Sequence, residues 1–218
     1  MYKRLVTFGC SNTYGQGLKD CAEPDLQAGP LPSKFAWPQL VANHLKLECV
    51  NMSEPGASNK QLWWKTVNFE FEPTDLVIYA ATFVNRELVL EDDNDDYQNI
   101  GMWKDIASPK RSKMFMKWVA LSNSNKLWEY QSYVHLDHAY QHALRQGAKT
   151  VLHYKHREDT YEHDLPDWVT FKWQDQALFK RAIPDDRTLC SHSGHKSHVL
   201  IALQVKRLIK RLISENNA

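Results

Sequence analysis

The stretch Asp75-Leu76-Val77-Ile78-Tyr79-Ala80-Ala81 constrains this chain most, because its apolar residues run on without alternating with polar ones. A strand of that kind has no solvent face. It must be covered on both sides, which is the condition of a parallel sheet lying between helices. Lys3 to Phe8 reads the same way, and Leu47 to Met52 and Lys149 to Tyr154 supply two further strands. Between them lie helical patterns over Phe35 to Leu45, with Pro38 in its first turn, over Lys60 to Phe69, and over Leu127 to Gln146, closed by Gly147. Strands alternating with helices imply parallel pairing through crossovers. With Trp168 to Phe171 as a fifth short strand, the expectation is a three-layer α/β/α sandwich around a mostly parallel five-stranded sheet.

A length of 218 residues suits one domain, 1–218, with the loosened pattern over 88–125 read as an insertion above the strand ends. The acidic run Glu91 to Asp96 lacks the spacing and glycine of a calcium loop and reads as solvated. A net charge of +1 gives no global pull toward nucleic acid or an anionic membrane. No apolar segment reaches bilayer length and the chain enters a strand without an apolar leader, so the expectation is a cytoplasmic protein. The four cysteines, Cys10, Cys21, Cys49 and Cys190, are scattered and read as reduced thiols. Of the eight tryptophans, Trp63, Trp64, Trp103 and Trp118 fall where they would border a cleft. A closing helix over Lys196 to Ile213 gathers Leu200, Leu203, Leu208 and Leu212 opposite Lys206, Arg207, Lys210 and Arg211, which reads as a packed helix with a solvated basic face.

In an open parallel sheet, ligands collect at the carboxyl ends of the strands, where loops converge. Three loops of this chain meet there. The first strand runs into Gly9-Cys10-Ser11-Asn12-Thr13-Tyr14-Gly15, a small-residue turn that would hold the Ser11 hydroxyl at the sheet edge. The Pro55-Gly56-Ala57-Ser58-Asn59 turn offers the Gly56 N–H free of side-chain obstruction, and Thr82-Phe83-Val84-Asn85-Arg86 offers the Asn85 amide. A hydroxyl with two or three such donors is acyl-transfer machinery, in which losing one donor costs about 100-fold to 1,000-fold in turnover. Serine also needs a base within reach. The run Leu189-Cys190-Ser191-His192-Ser193-Gly194-His195-Lys196-Ser197-His198, just ahead of the last helix, supplies His192.

These blocks, in this order, resemble the SGNH or GDSL hydrolases. Gly9-Cys10-Ser11-Asn12-Thr13 resembles that family's first block, G-D-S-x-T after a strand; Gly56 resembles its second-block glycine, Asn85 its third-block asparagine, and His192 followed by His198 its last block. The resemblance implies a flavodoxin-like sandwich with Ser11 as nucleophile and His192 as general base. It also implies an oxyanion hole of the Ser11 N–H, the Gly56 N–H and the Asn85 side chain. The implied reaction is hydrolysis of an ester, an O-acetyl or other O-acyl group on a small molecule or glycan, through an acyl-enzyme with no metal or other cofactor. Cys10 departs from the family's aspartate, and Thr82-Phe83-Val84-Asn85 departs from its G-x-N-D wording, which leaves Thr82 as an alternative donor. The acid that orients the histidine belongs two or three residues before it, where this chain has Cys190 and Leu189. Asp186, or its neighbour Asp185, would have to loop back; otherwise the site is a serine–histidine dyad, and the missing acid costs about 10,000-fold.

Three other readings stand beside this one. His192, His195 and His198, or His135, His138 and His142, would offer imidazoles to a metal, though no acidic ligand or thiolate stands at matching spacing. Cys10 would be the nucleophile if it faced outward, but strand alternation turns it inward when Ser11 faces out. A non-catalytic carbohydrate-binding or structural protein on the same fold would account for the missing acid and the abundant tryptophan.

Overall fold

The computed structural model describes residues 2–22, 28–90, 97–100, 125–157, 160–179, 182–183, 186–188 and 190–215. The acidic run at 91–96, most of the expected insertion with Trp103 and Trp118, and Asp185 and Leu189 lie outside them. Four strands, β1 (Arg4–Phe8), β2 (Glu48–Asn51), β3 (Asp75–Ala80) and β6 (Thr150–Tyr154), form one sheet in the order β2-β1-β3-β6. Every pairing in it is parallel, with Val6 opposite both Val50 and Val77, and Ile78 opposite Leu152. This is the strand order of a flavodoxin-like sheet, with its switch point beside β1.

Period-two alternation sends the strand residues to two separate cores. Leu5, Leu76, Ile78 and Leu152 pack under α2 (Trp37–Leu45) and α5 (His195–Glu215). Val6, Phe8, Val77 and Tyr79 pack under α3 (Asn59–Val67) and α4 (Asn125–Arg145), which contribute Leu62, Tyr133, Leu136, Ala139 and Ala143. The three layers follow from the unbroken apolar strands. Local chemistry sets the helix limits: Pro38 lies in the first turn of α2, the Ser58 hydroxyl caps α3 by accepting from Gln61 N, and Gly147 takes the left-handed conformation (φ +103°) just past α4. A short α1 (Ser11–Tyr14) completes the described helices, none of which is long and apolar enough to cross a membrane.

Two expectations are corrected. The fifth strand over 168–171 is absent, and only Trp173 bridges to His153. Asp137 on α4 takes the Thr170 N–H at 2.6 Å, so the donor a ladder would need is already committed. The looser stretch opens on a regular antiparallel pair, β4 (Glu87–Leu90) with β5 (Tyr97–Ile100). On α5 the buried stripe runs through His198, Ile201, Ala202, Val205 and Ile209, while Leu200 is exposed.

Glu129 on α4 is only 1 % exposed, and its carboxylate accepts from Glu162 N (3.0 Å), His163 N (3.0 Å), His163 Nδ1 (3.1 Å) and the Tyr133 hydroxyl (3.2 Å). Burial alone would raise its pKa, but these donors outweigh burial and hold it below the usual carboxylate value. A depressed folded-state pKa stabilises the fold above the unfolded value of about 4.3, and that contribution is lost as pH falls through the folded one. Glu129→Gln is therefore expected to flatten the fall in urea midpoint between pH 6 and acid conditions. An unchanged acid slope would show that other carboxylates carry it.

Candidate active site

The end of β1 turns directly into α1, because the Cys10 carbonyl accepts from Thr13 N and Tyr14 N, both at 2.9 Å. Gly9 is required at this turn, since a Cβ there would come within 2.5 Å of Thr13 Oγ1. Ser11 opens the helix and keeps 5 % of its surface, whereas Cys10 is 1 % exposed and packs into the aromatic core of the α3/α4 side. Asn51, at the end of β2, fastens the turn from the side: its Nδ2 donates to Thr13 O and its Oδ1 accepts from Thr7 Oγ1 and Ser53 N.

The second loop lies against the first, with Glu54 N donating to Gly9 O at 3.1 Å. Gly56 sits in its turn at φ +79°, a conformation that favours glycine. Among the described residues nothing accepts from the Ser11 N–H or the Gly56 N–H. In the third loop Asn85 is half-buried in the turn ahead of β4. Thr82, the alternative donor, is fully buried with both donors committed: its N–H to Asn59 Oδ1 at 2.9 Å and its hydroxyl to Ala57 O at 2.9 Å. It holds the second and third loops together and has no free proton for an oxyanion. Arg86 donates to the same Ala57 carbonyl at 3.1 Å, with its guanidinium 4.8 Å from the Phe83 ring centre.

The tail loop reaches this edge and is tied to it. Ser193 N donates to Asn12 Oδ1 at 3.2 Å across 181 positions of sequence. Gly17 (φ +85°) lies so close to the loop that a Cβ would stand 2.5 Å from both Cys190 Sγ and Thr188 Oγ1. In the first turn of α5, His198 Nδ1 accepts from Trp37 N at 3.0 Å, and burial pushes that imidazole down to about 4. The Ser193 and Gly17 contacts fasten the loop that carries His192 to the segment that carries Ser11. Burial also lowers the pKa of half-buried His192; the Cys190 carbonyl opposes this, and the charges of Arg86 and Arg187 add to it. Its Nδ1 lies 3.1 Å from Cys190 Sγ.

Asp186 is used elsewhere. Its Oδ2 accepts from Ser197 N at 2.6 Å and its carbonyl from Gly194 N at 2.7 Å, so it caps the start of α5. Among the described residues no hydrogen bond joins Asp186 to His192, nor Ser11 Oγ to His192. Three of the other histidines have aromatic partners: His138 Nδ1 accepts from Trp63 Nε1 at 2.7 Å, His135 lies tilted against the same indole and His195 lies edge-on to Phe35. Among the described residues no group of three or more His, Cys, Asp or Glu side chains is arranged to hold a metal ion. Asn12, Gly17 and Thr188 had no role in the sequence reading. Their partners are distant in the chain, so spacing carries no trace of them.

No protein-family profile and no curated protein sequence matches the chain. Solved structures match in fold. One is of a carbohydrate esterase whose active site is described as displaying divergent catalytic and non-catalytic binding functions. It is 9 % identical, with a TM-score of 0.56 over 95 % of this chain and 68 % of that one. TesA is 14 % identical over 96 % of this chain and 99 % of its own, with a TM-score of 0.54. A member of the lipolytic G-D-S-L family from Veillonella parvula is 12 % identical over 96 % and 99 %, with a TM-score of 0.51. At such identities the likeness speaks for architecture alone. Together with the parallel β2-β1-β3-β6 sheet, it shows that the chain has the SGNH/GDSL hydrolase fold.

Proposed function

We propose that the chain is a single-domain serine esterase or deacylase that hydrolyses an O-acyl ester through an acyl-enzyme on Ser11, with His192 as general base. The observation that carries the reading is the Ser193–Asn12 hydrogen bond, which seats the histidine loop on the serine turn. In the proposed reaction Ser11 Oγ attacks the acyl carbonyl while His192 Nε2 takes its proton. The Ser11 and Gly56 N–H groups and the Asn85 amide face the oxyanion, and the imidazolium then protonates the leaving alcohol. Water repeats the sequence on the acyl-enzyme. A lowered imidazole pKa suits this role, because the ring stays neutral, and so able to accept a proton, through the neutral range. The 5 % exposure of Ser11 favours a compact acyl group such as acetyl, and the carbohydrate-esterase likeness in fold favours a glycan or small-molecule alcohol as its carrier.

A fluorophosphonate probe tests the reading. Labelling is expected in the wild type and in Cys10→Ala, and lost in Ser11→Ala, with a rate that rises with pH through an inflection below the ordinary imidazole value of about 6.5. The second reading, a glycan-binding protein without turnover, is favoured by the lack of a described Ser11–His192 hydrogen bond. A wild type that resists the probe would decide for it, and labelling lost only in Cys10→Ala would move the nucleophile to the thiol.

A further inference from the structure

A histidine that accepts a proton at Nε2 must carry its own proton on Nδ1, and something must hold it there. In this chain the side-chain partner of Nδ1 is sulfur. Cys190 Sγ lies 3.1 Å from His192 Nδ1 and 3.2 Å from Thr188 Oγ1. Thr188 offers a consistent way to place the protons. Its hydroxyl donates to the His192 carbonyl at 3.3 Å and accepts from His192 N at 3.1 Å. With that proton on the His192 carbonyl, the Thr188 oxygen is free to accept from the thiol, an arrangement that turns the thiol proton toward Thr188 and leaves the sulfur lone pairs for Nδ1–H. The arrangement is also walled in, because Gly17 leaves no room for a Cβ against either Sγ or Oγ1.

We propose that Cys190 is the positioning residue of this site, its sulfur accepting from His192 Nδ1–H in the place of a triad carboxylate, with Thr188 directing the thiol proton away from the ring. The inference rests on the hydrolase reading for its catalytic consequence, although the ring tautomer it requires is measurable without turnover. The Cys190 carbonyl also favours the protonated ring, so removing the sulfur leaves one acceptor near it.

The test uses the full-length protein with nitrogen-15-labelled histidine, comparing wild type with Cys190→Ala, Cys190→Asp and Thr188→Val. In the neutral wild-type ring the proton is expected on Nδ1. Thr188→Val frees the thiol proton to turn toward Nδ1 and is expected to shift the ring toward the Nε2–H form. Cys190→Ala mixes the two forms, and Cys190→Asp restores the Nδ1–H form. With p-nitrophenyl acetate, Cys190→Ala is expected to lower kcat by about 10- to 100-fold at nearly constant KM, less than the loss of about 10,000-fold that follows when a triad aspartate is neutralised. Cys190→Asp regains most of that loss, which a purely structural thiol would not do. A wild-type ring protonated on Nε2 would overturn the proposal. So would Cys190→Ala and Thr188→Val that keep both the ring signals and kcat. Turnover that survives Ser11→Ala would sink the hydrolase reading instead, and the ring signals would still decide the role of Cys190.

Discussion

Ser11→Ala and His192→Ala are each expected to lower kcat/KM for p-nitrophenyl acetate by about 10,000-fold or more, and the double variant to be little worse than either, because nucleophile and base act as a unit. A factor of 10,000 corresponds to about 5.5 kcal/mol of transition-state stabilisation, too much for the mere loss of one side chain's packing at wild-type stability. The structure makes these variants clean to read. The Ser11 backbone carbonyl, which accepts from Gly15 N and Gln16 N, survives replacement by alanine, and no described hydrogen bond of the fold uses its hydroxyl. For His192 the backbone N–H remains on Thr188 Oγ1, and the loop keeps its Ser193–Asn12 tie. Both variants are therefore expected to melt close to the wild type. Unchanged turnover in Ser11→Ala at wild-type stability would remove the hydrolase reading. Tryptophan quenching by acetylated glycans would then separate a binding protein from a structural one.

The sequence made the sheet legible because burial on both faces writes itself into consecutive residues. Leu76, Val77, Ile78 and Tyr79 are all fully buried, and the same pattern marks β1. Helix limits were legible to within a residue or two where a local device sets them, as with Ser58 before α3 and Gly147 after α4. Contacts between distant segments were not. Thr170 looks like strand until Asp137 of a helix takes its N–H, and Asp186 looks available to a histidine six residues on until Ser197 N claims its carboxylate. The same limit governs the candidate site. Gly9 and Gly56 could be found because tight turns demand glycine, whereas the Cys190 contact to His192 depends on a loop closed by Thr188 and seated on Gly17. A motif built on a carboxylate two or three residues before the histidine has no place for a thiol, so the substitution reads as a loss until the geometry is seen.

Asn59→Ala is the stability change with the largest expected effect, about 3 kcal/mol or more, because it leaves several buried groups without partners at once, each costing about 1–3 kcal/mol. Asn59 is 2 % exposed at the start of α3. Its Oδ1 accepts from Thr82 N at 2.9 Å, and its Nδ2 lies 2.8 Å from the Tyr161 hydroxyl, 3.0 Å from Ser132 Oγ and 3.3 Å from Thr82 O. One amide thereby joins the end of the most buried strand to α4 and to the segment after β6. For a chain of this size, 3 kcal/mol lowers Tm by about 6–12 °C. Asn43→Ala, which breaks only the exposed contact from Gln39 Nε2, is the matched control and is expected to stay within about 0.5 kcal/mol of the wild type. The effect should reach the chemistry, because Thr82 and its neighbours carry Asn85. Loosening that loop is expected to lower kcat at temperatures where the variant is still folded, while phosphonate labelling of Ser11 persists. An Asn59→Ala protein that melts with the wild type would mean that water satisfies Thr82 and Tyr161. The buried amide would then not be what fixes the third loop against the second.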